Sequence, residues 1–172
     1  GKDKTTVLGG FGIRGFENIT FKRMTVTNIS QFGGGIFMRN SKVELYHVAL
    51  KGCRACALLL PISNSETTVV ATRCEFANSW SGAAVQGGNL TSATFNNCVF
   101  HDNARNGIYG RLSTINLHGE STAIHSNGKY GIHASMSSEV IIHLPSHHNT
   151  TYSNKEQNQF ANNGGTITHV VD

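Results

Sequence analysis

Residues 101–109, with the sequence HDNARNGIY, are repeated 24 positions later by residues 125–133, HSNGKYGIH. Both copies follow one pattern: His, any residue, Asn, any residue, a basic residue, any residue, Gly, Ile, and then Tyr or His. Self-similarity at a fixed period of about two dozen residues is the signature of a stacked architecture, in which each unit packs mainly on its neighbours. The repeat therefore predicts a solenoid.

The same period extends over the whole chain as short triplets that alternate apolar, polar and apolar residues. The triplets begin at Ile19, Val43, Val69, Ala93, Ile115, Val140 and, less cleanly, Ile167. Alternation with a period of two indicates a strand and not a helix. A second apolar pair follows in four of the units, and a Gly or Ala then opens a third apolar segment. Each unit therefore predicts three short strands.

Three strands per unit predict an all-β fold, a right-handed single-stranded parallel β-helix of about six to seven coils. Coils stacked at the strand spacing of about 4.8 Å would share one continuous core. Over nearly its entire length the chain resembles the parallel β-helix repeats of the pectin-lyase-like superfamily. That superfamily includes polysaccharide lyases, glycoside hydrolases, sugar epimerases, viral tail and surface proteins, and structural shafts, so the resemblance implies the fold and leaves the function open.

The length of 172 residues fits a single domain, 1–172. Both ends read as strands without a polar capping helix, which solenoids usually need. We therefore expect a segment of a longer chain, or a chain whose open coil ends meet another subunit. After Ile142 the sequence is polar as far as Gly165, which predicts an irregular loop excursion over residues 144–165.

Charged residues make up 14% of the chain and the net charge is +4. The basic residues are scattered along the sequence, which argues against nucleic acid as a partner and is consistent with an acidic polysaccharide or glycan surface. No run of 18 apolar residues occurs, so no membrane insertion is predicted. The sequence leaves the localisation undecided, although an extracellular, virion or cell surface is favoured.

Four cysteines are present, and two of them, Cys74 and Cys98, occupy equivalent positions in successive units. We expect these two to stack inward as buried thiols, with a disulfide as the alternative. Cys53 and Cys56 form one C-x-x-C pair with no second pair at zinc-binding spacing, so a structural role is favoured. No metal site and no cofactor are predicted, and this includes the histidines near the C-terminal end, His143, His147 and His148.

Ligands of the superfamily usually lie along one strand column and the corner that precedes it. By resemblance, that column is the third segment of each unit, where Ile108 and Ile132 point inward and Tyr109 and His133 outward. The implied ligand face consists of Trp80, His101, Asp102, Arg105, Tyr109, Arg111, His125, Lys129, Tyr130 and His133. Such groups suit sugars, because aromatic rings stack on pyranose faces, cations pair with carboxylates or sulfates, and histidines transfer protons.

These residues also have structural interpretations. Asn103 and Asn127 predict an asparagine ladder within the corners, because Asn tolerates turn conformations and bonds to neighbouring backbone. His101 and His125 fit a stacked structural pair as well as they fit a binding site. The basic and aromatic positions of the repeat fit a solvated surface too, which applies to Arg105, Lys129, Tyr109 and His133.

The expected function is a non-catalytic β-helix module, structural or glycan-binding, of the kind that forms part of a larger surface or viral protein. Hydrolysis of a glycosidic bond normally uses two carboxylates, and Asp102 is the one acid on the implied face. The acids also form no cluster for calcium. The alternative is a metal-free polysaccharide lyase or uronate epimerase. In that case His125 or Tyr109 would be the base, and Arg105 or Lys129 would neutralise the uronate.

Overall fold

The computed structural model describes residues 5–144 and 150–171, and every regular element in this part of the chain is a β-strand. The strands form three parallel seven-stranded sheets. Sheet A contains β1 (Thr5–Leu8), β4 (Met24–Thr27), β7 (Ala49–Lys51), β10 (Glu75–Ala77), β13 (Val99–His101), β16 (Ala123–His125) and β19 (Thr151–Tyr152). Sheet B contains β2 (Phe11–Arg14), β5 (Ile36–Arg39), β8 (Leu58–Leu60), β11 (Ala83–Gln86), β14 (Ile108–Arg111), β17 (Tyr130–Ser135) and β20 (Gln157–Asn162). Sheet C contains β3 (Ile19–Lys22), β6 (Lys42–Tyr46), β9 (Thr67–Thr72), β12 (Thr91–Asn96), β15 (Thr114–His118), β18 (Glu139–Leu144) and β21 (Thr166–Val171).

Consecutive strands visit sheets A, B and C in turn, and each strand pairs in parallel with the strand three places later. The register follows the repeat, so that Ile108 pairs with Ile132 and Tyr109 with His133. The chain thus makes about six turns of a parallel β-solenoid with three strands per coil. This confirms the predicted fold class, including the triplets, which are the strands of sheet C.

The core is a stack of inward side chains from successive coils. Phe76 and Phe100 stack with their ring centroids 4.6 Å apart at 5°, and Phe95 meets Phe100 edge-on at 4.9 Å. All three rings are fully buried, as are Ile108 and Ile132. Burial of one such side chain contributes about 1.5–3 kcal/mol. The alternation predicted for sheet B, with Ile inward and Tyr or His outward, is therefore correct.

Single residues in the left-handed conformation turn the chain at the corners. In the corner after sheet A they are Gly52, Asn78, Asp102, Ser126 and Ser153, with φ between 50° and 65°. Asn and Asp tolerate this conformation better than most residues, which gives Asp102 a conformational role. Because the turning residue recurs at the same place, the corner side chains of successive coils lie one above another.

An asparagine ladder runs through the inside of that corner. Asn103 Nδ2 donates to Asn127 Oδ1 at 2.9 Å, and Asn127 Nδ2 donates to Asn154 Oδ1 at 2.8 Å. The backbone N–H of Ser79 continues the ladder by donating to Asn103 Oδ1, and that of Cys53 by donating to Ser79 Oγ. The predicted ladder is confirmed, and it includes Asn154, which sequence reasoning missed.

All four cysteines are free. Cys74 and Cys98 are buried in the core and stack as predicted, with the backbone N–H of Cys74 donating to Cys98 Sγ at 3.5 Å. The hydrogen bond with Cys74, together with burial, raises the pKa of the Cys98 thiol, so this thiol stays protonated. The same contact lowers the pKa of the Cys74 thiol against the effect of burial, so the two buried thiols share one hydrogen bond inside the core.

The predicted irregular excursion over residues 144–165 is regular in most of its described part. β19 and β20 lie within it, and β20 pairs with β17 from Tyr130↔Gln157 to Ser135↔Asn162. The sequence of β20, QNQFAN, lacks the apolar alternation of the other strands, so the sequence pattern does not indicate a strand here. Residues 145–149, including His147 and His148, lie outside the described part.

Candidate functional site

The outer side of the corner after sheet A carries a column of large side chains held in line by the backbone. The N–H of Arg105 donates to the carbonyl of Trp80 at 2.8 Å, the N–H of Lys129 to Arg105 at 2.9 Å, and the N–H of Glu156 to Lys129 at 2.9 Å. The Arg105 guanidinium lies 5.5 Å from the ring centre of Trp80. Trp80 is 51% exposed, so about half of its surface is open to solvent.

Next to this column lies the outward row of sheet B, in which Ala84, Tyr109, His133 and Phe160 are register neighbours. The ring centroids of Tyr109 and His133 are 5.0 Å apart, and those of His133 and Phe160 are 5.1 Å apart. Tyr130 stacks on Phe160 at 4.6 Å. The row is a continuous strip of rings that follows the solenoid axis.

A groove of about 250 Å³ separates the corner column from the sheet B row. Its lining consists of Cys56, Trp80, Ser81, Ala84, Gln86, Arg105, Asn106, Tyr109, Lys129 and His133. We call it the corner groove. None of the lining residues is an Asp or a Glu, whereas Arg105 and Lys129 supply two cations. Five predicted site residues therefore meet here: Trp80, Arg105, Tyr109, Lys129 and His133.

Burial lowers the pKa of His133, and the nearby Lys129 and Arg105 lower it further, against the opposing effect of the 3.2 Å hydrogen bond with Asn162. These effects favour the neutral form of the imidazole. The groove thus combines two cationic side chains with an imidazole whose charged form is disfavoured.

Three predicted face residues, His101, Asp102 and His125, lie in a different cluster on the outer side of sheet A. His101 and His125 stack there with Tyr152, which was not predicted, at centroid distances of 5.3 and 4.8 Å, and we call these three rings the histidine column. His101 bonds to Asp102 Oδ2 through Nδ1 at 2.6 Å and to Glu75 Oε1 through Nε2 at 3.2 Å. None of these residues lines the corner groove.

The two remaining predicted residues lie at the margin of the groove. Arg111 pairs with Gln86 in sheet B, and its Nε donates to Met136 Sδ at 3.0 Å. Tyr130 lies under the Lys129 ammonium, 4.9 Å from Nζ to the ring centre. Burial and a hydrogen bond with Glu156 raise the pKa of Tyr130. Neither side chain is among those that line the groove.

Sequence reasoning missed Asn106, Glu156 and Phe160. Asn106 lies inside the quoted repeat, where the other copy has Tyr130, and this mismatch is its only sequence signal. Glu156 and Phe160 fall in the segment that was predicted to be irregular. Phe160 lies 27 residues after His133, which was the one available signal for its position in the row.

A second depression of about 470 Å³ lies on the same face towards the N-terminal coils. It is more apolar than the corner groove, and Arg14 lies 5.2 Å from the ring centre of Phe37 beside it. Its lining includes Phe11, Arg14, Phe32, Phe37, Leu59 and Cys56. Cys56, in the corner before β8, borders both depressions, so the two are neighbours on this face.

Positive charge is concentrated on this face. Among residues 5–144 and 150–171, sheet B and the corner before it carry the cations Arg14, Arg39, Arg54, Arg105, Arg111, Lys129 and Lys155. The acids in the same described elements are Asp102 and Glu156. The cations that are scattered in the sequence therefore gather on one side of the solenoid.

The described residues contain no group of three His, Cys, Asp or Glu side chains that could hold a metal ion. They also contain no helix with the length and apolar character that a membrane span requires.

The sequence matches the family model of the right-handed β-helix region over residues 9–171, and the chain belongs to that family. The match and the three parallel sheets together confirm the resemblance to pectin-lyase-like parallel β-helix proteins. Comparisons with curated proteins and with solved structures found no match.

Proposed function

We propose that this protein is a non-catalytic recognition module that binds a linear acidic glycan along sheet B and the corner before it. The observation that carries the proposal is the corner groove, in which Trp80 and Tyr109 lie beside Arg105 and Lys129 without a lining carboxylate. The rings fit the apolar faces of sugars, and the cations fit carboxylate or sulfate substituents.

The dimensions of the face favour an extended polymer over a compact ligand. The corner groove and the N-terminal depression share Cys56, so together they follow the solenoid axis across several coils. Successive coils are about 4.8 Å apart, and each coil contributes one side chain to the outward row. A regular linear chain can therefore contact successive coils in equivalent ways.

A polysaccharide lyase or epimerase is the second candidate, favoured by the position of His133. Burial and the two nearby cations favour its neutral imidazole, which lies close to Tyr109, and the cations could neutralise a uronate. In a lyase, His133 would remove the proton next to the carboxylate, and Tyr109 would protonate the glycosidic oxygen as its bond to the uronate breaks. In an epimerase, Tyr109 would instead return a proton to the same carbon from the opposite face. The base role proposed for His125 is not supported, because His125 lies in the histidine column and not in the groove.

Trp80 is the only tryptophan in the sequence, so its fluorescence reports directly on the corner groove. We expect polygalacturonate and dextran sulfate to change this fluorescence, with affinity that falls as salt rises, and neutral dextran to leave it unchanged. No response to either acidic polymer would contradict the proposal. Formation of unsaturated ends from polygalacturonate, followed by their ultraviolet absorbance, would instead establish the lyase.

A double variant separates specific recognition from general charge attraction. Trp80→Ala with Arg105→Ala should abolish most of the binding, measured by calorimetry because the fluorophore is lost. Lys22→Ala with Tyr46→Ala removes the same kinds of group from register neighbours on sheet C and should leave binding unchanged. Equal losses in both double variants would contradict a site on sheet B.

A further inference from the structure

The outward row of sheet B has a gap at its N-terminal end. In register order, the row consists of Gly12, Phe37, Leu59, Ala84, Tyr109, His133 and Phe160. A Cβ atom built on Gly12 would meet no atom within 4 Å, and Gly12 is not among the residues in the left-handed conformation that favours glycine. The backbone therefore does not require glycine here, and the missing side chain leaves the N-terminal depression open.

Aromatic side chains line this depression and are accessible from solvent. Phe37 is partly exposed, and Phe32 is 87% exposed, so the Phe32 ring contributes little apolar burial to the fold. Ile29, in the same corner, is 81% exposed. A single exposed apolar residue is ordinary, whereas several beside one depression are typical of a binding surface.

Volume and charge indicate what the depression can hold. An apolar cavity of about 150 Å³ holds a benzene molecule, and the depression measures about 470 Å³. Among the described residues that line it, Arg14 is the one charged side chain, and Arg14 forms no ion pair with a described carboxylate. The depression therefore suits an apolar ring that is attached close to an anionic group.

We infer that the N-terminal depression is a subsite for a ring-sized apolar substituent, such as an aromatic acyl ester, on the acidic glycan. The inference rests on the proposed function and adds a second feature of the ligand to it. Arg105 and Lys129 hold acidic groups of the polymer, and the substituent occupies the space left by Gly12. Arg14 pairs with an acidic group next to the substituent. Cys56 borders both depressions, so one polymer chain reaches both.

The test compares polygalacturonate that carries benzoyl esters with polygalacturonate that carries acetyl esters at the same density. Both esters replace hydroxyl groups and leave the carboxylates free, so the two polymers have equal charge. Calorimetry should show that the wild type binds the benzoylated polymer about tenfold more tightly, because the ring is buried in the depression. Equal affinities would overturn the inference alone, whereas no binding of either polymer would overturn the proposed function as well.

Two variants show whether the depression is the source of this preference. Gly12→Leu fills the space, and Phe32→Ala removes an exposed ring. Each should reduce the preference to about twofold or less and retain the binding of the acetylated polymer. Phe32→Ala should also leave the melting temperature unchanged, because the ring is exposed, so this variant decides the test if Gly12→Leu is unstable.

The matched control adds the same leucine to an exposed strand position outside the face. Thr20→Leu changes an exposed residue of β3 in sheet C and should keep the tenfold preference. A tenfold preference that is retained by folded Gly12→Leu or by Phe32→Ala overturns the inference. Loss of the preference in Thr20→Leu overturns it too, because the effect would then not depend on the depression.

Discussion

Two columns of stacked rings arise from the same repeat and differ in their charged neighbours. In the histidine column on sheet A, both nitrogens of His101 bond to carboxylates, those of Glu75 and Asp102. In the row on sheet B, His133 lies near Lys129 and Arg105 and bonds to the uncharged Asn162. In the first column two neighbouring carboxylates hold the ring of His101, whereas the second column lies beside two cations that line an open groove.

The difference shows that ring stacking at the repeat spacing does not by itself identify a binding site. Both columns stack at about 5 Å, as the spacing of parallel strands dictates. The columns differ in whether neighbouring side chains already form hydrogen bonds or ion pairs with the polar groups of the column. By that criterion the sheet B row and the corner groove are the candidate site, and the histidine column is an internally satisfied surface feature.

The largest expected effect concerns the ladder that supports both columns. Asn127→Leu removes the partner of the Asn103 amide and backbone N–H and of the Phe100 carbonyl, and we expect a loss of about 4 kcal/mol in the free energy of unfolding. Urea unfolding measures this loss, with the exposed Asn89→Leu as the control. A loss no larger than the control's would show that the ladder does not hold the corner.

The next effect separates the columns directly. Trp80→Ala with Arg105→Ala should weaken binding of polygalacturonate about 100-fold, or about 2.7 kcal/mol, because it removes a stacking ring and a cation from the groove. His101→Ala with His125→Ala should change the affinity by less than about twofold. Isothermal titration calorimetry provides both values. A comparable loss in the histidine variant would mean that the two columns form one site.

A pH titration separates the two columns by a smaller effect. Burial lowers the pKa of both His125 and His133, so the unfolded chain binds more protons than the folded chain below about pH 6.5. The free energy of unfolding should therefore decrease as the pH falls through this range. A bound polyanion should raise the pKa of His133 and leave that of His125 unchanged, which NMR titration of the two imidazoles measures. Equal shifts in both would contradict the separation.

The smallest effect concerns the acid next to the groove. Glu156 follows Lys129 in the corner column and interacts with Tyr130, so its charge opposes the binding of an anion. Glu156→Gln should strengthen binding of polygalacturonate about twofold at low salt, and the gain should disappear at high salt. Glu44→Gln on sheet C is the matched control. Weaker binding in the Glu156 variant would show that this carboxylate contacts the ligand favourably.

The fold was predictable from the sequence because a parallel coil repeats its own pattern. Strand alternation places Ile108 and Ile132 inward, and the 24-residue spacing places Tyr109 next to His133. The groove was predictable only in part. His101 is adjacent to the corner in sequence, but it ends β13 and lies on sheet A, while Arg105, four residues later, lies beyond the turn.

The remaining residues had weak sequence signals for physical reasons. β20 is held by its backbone pairing with β17, so its polar sequence did not indicate a strand, and the only sequence signal for Phe160 was its 27-residue distance from His133. Asn106 and Asn103 are the same residue type three positions apart in one corner. Only their hydrogen bonds distinguish the ladder amide of Asn103 from the amide of Asn106.

The left-handed residue that turns the corner after sheet A in five successive coils has a consequence for how such a protein grows. Since the same residue position sets this bend in each of these coils, a tandem duplication of 24 residues would add a complete coil with a matching bend. The added coil would extend the recognition surface by about 4.8 Å. Evolution can therefore lengthen the reach of this surface in whole increments, and a designer can do the same by copying residues 102–125.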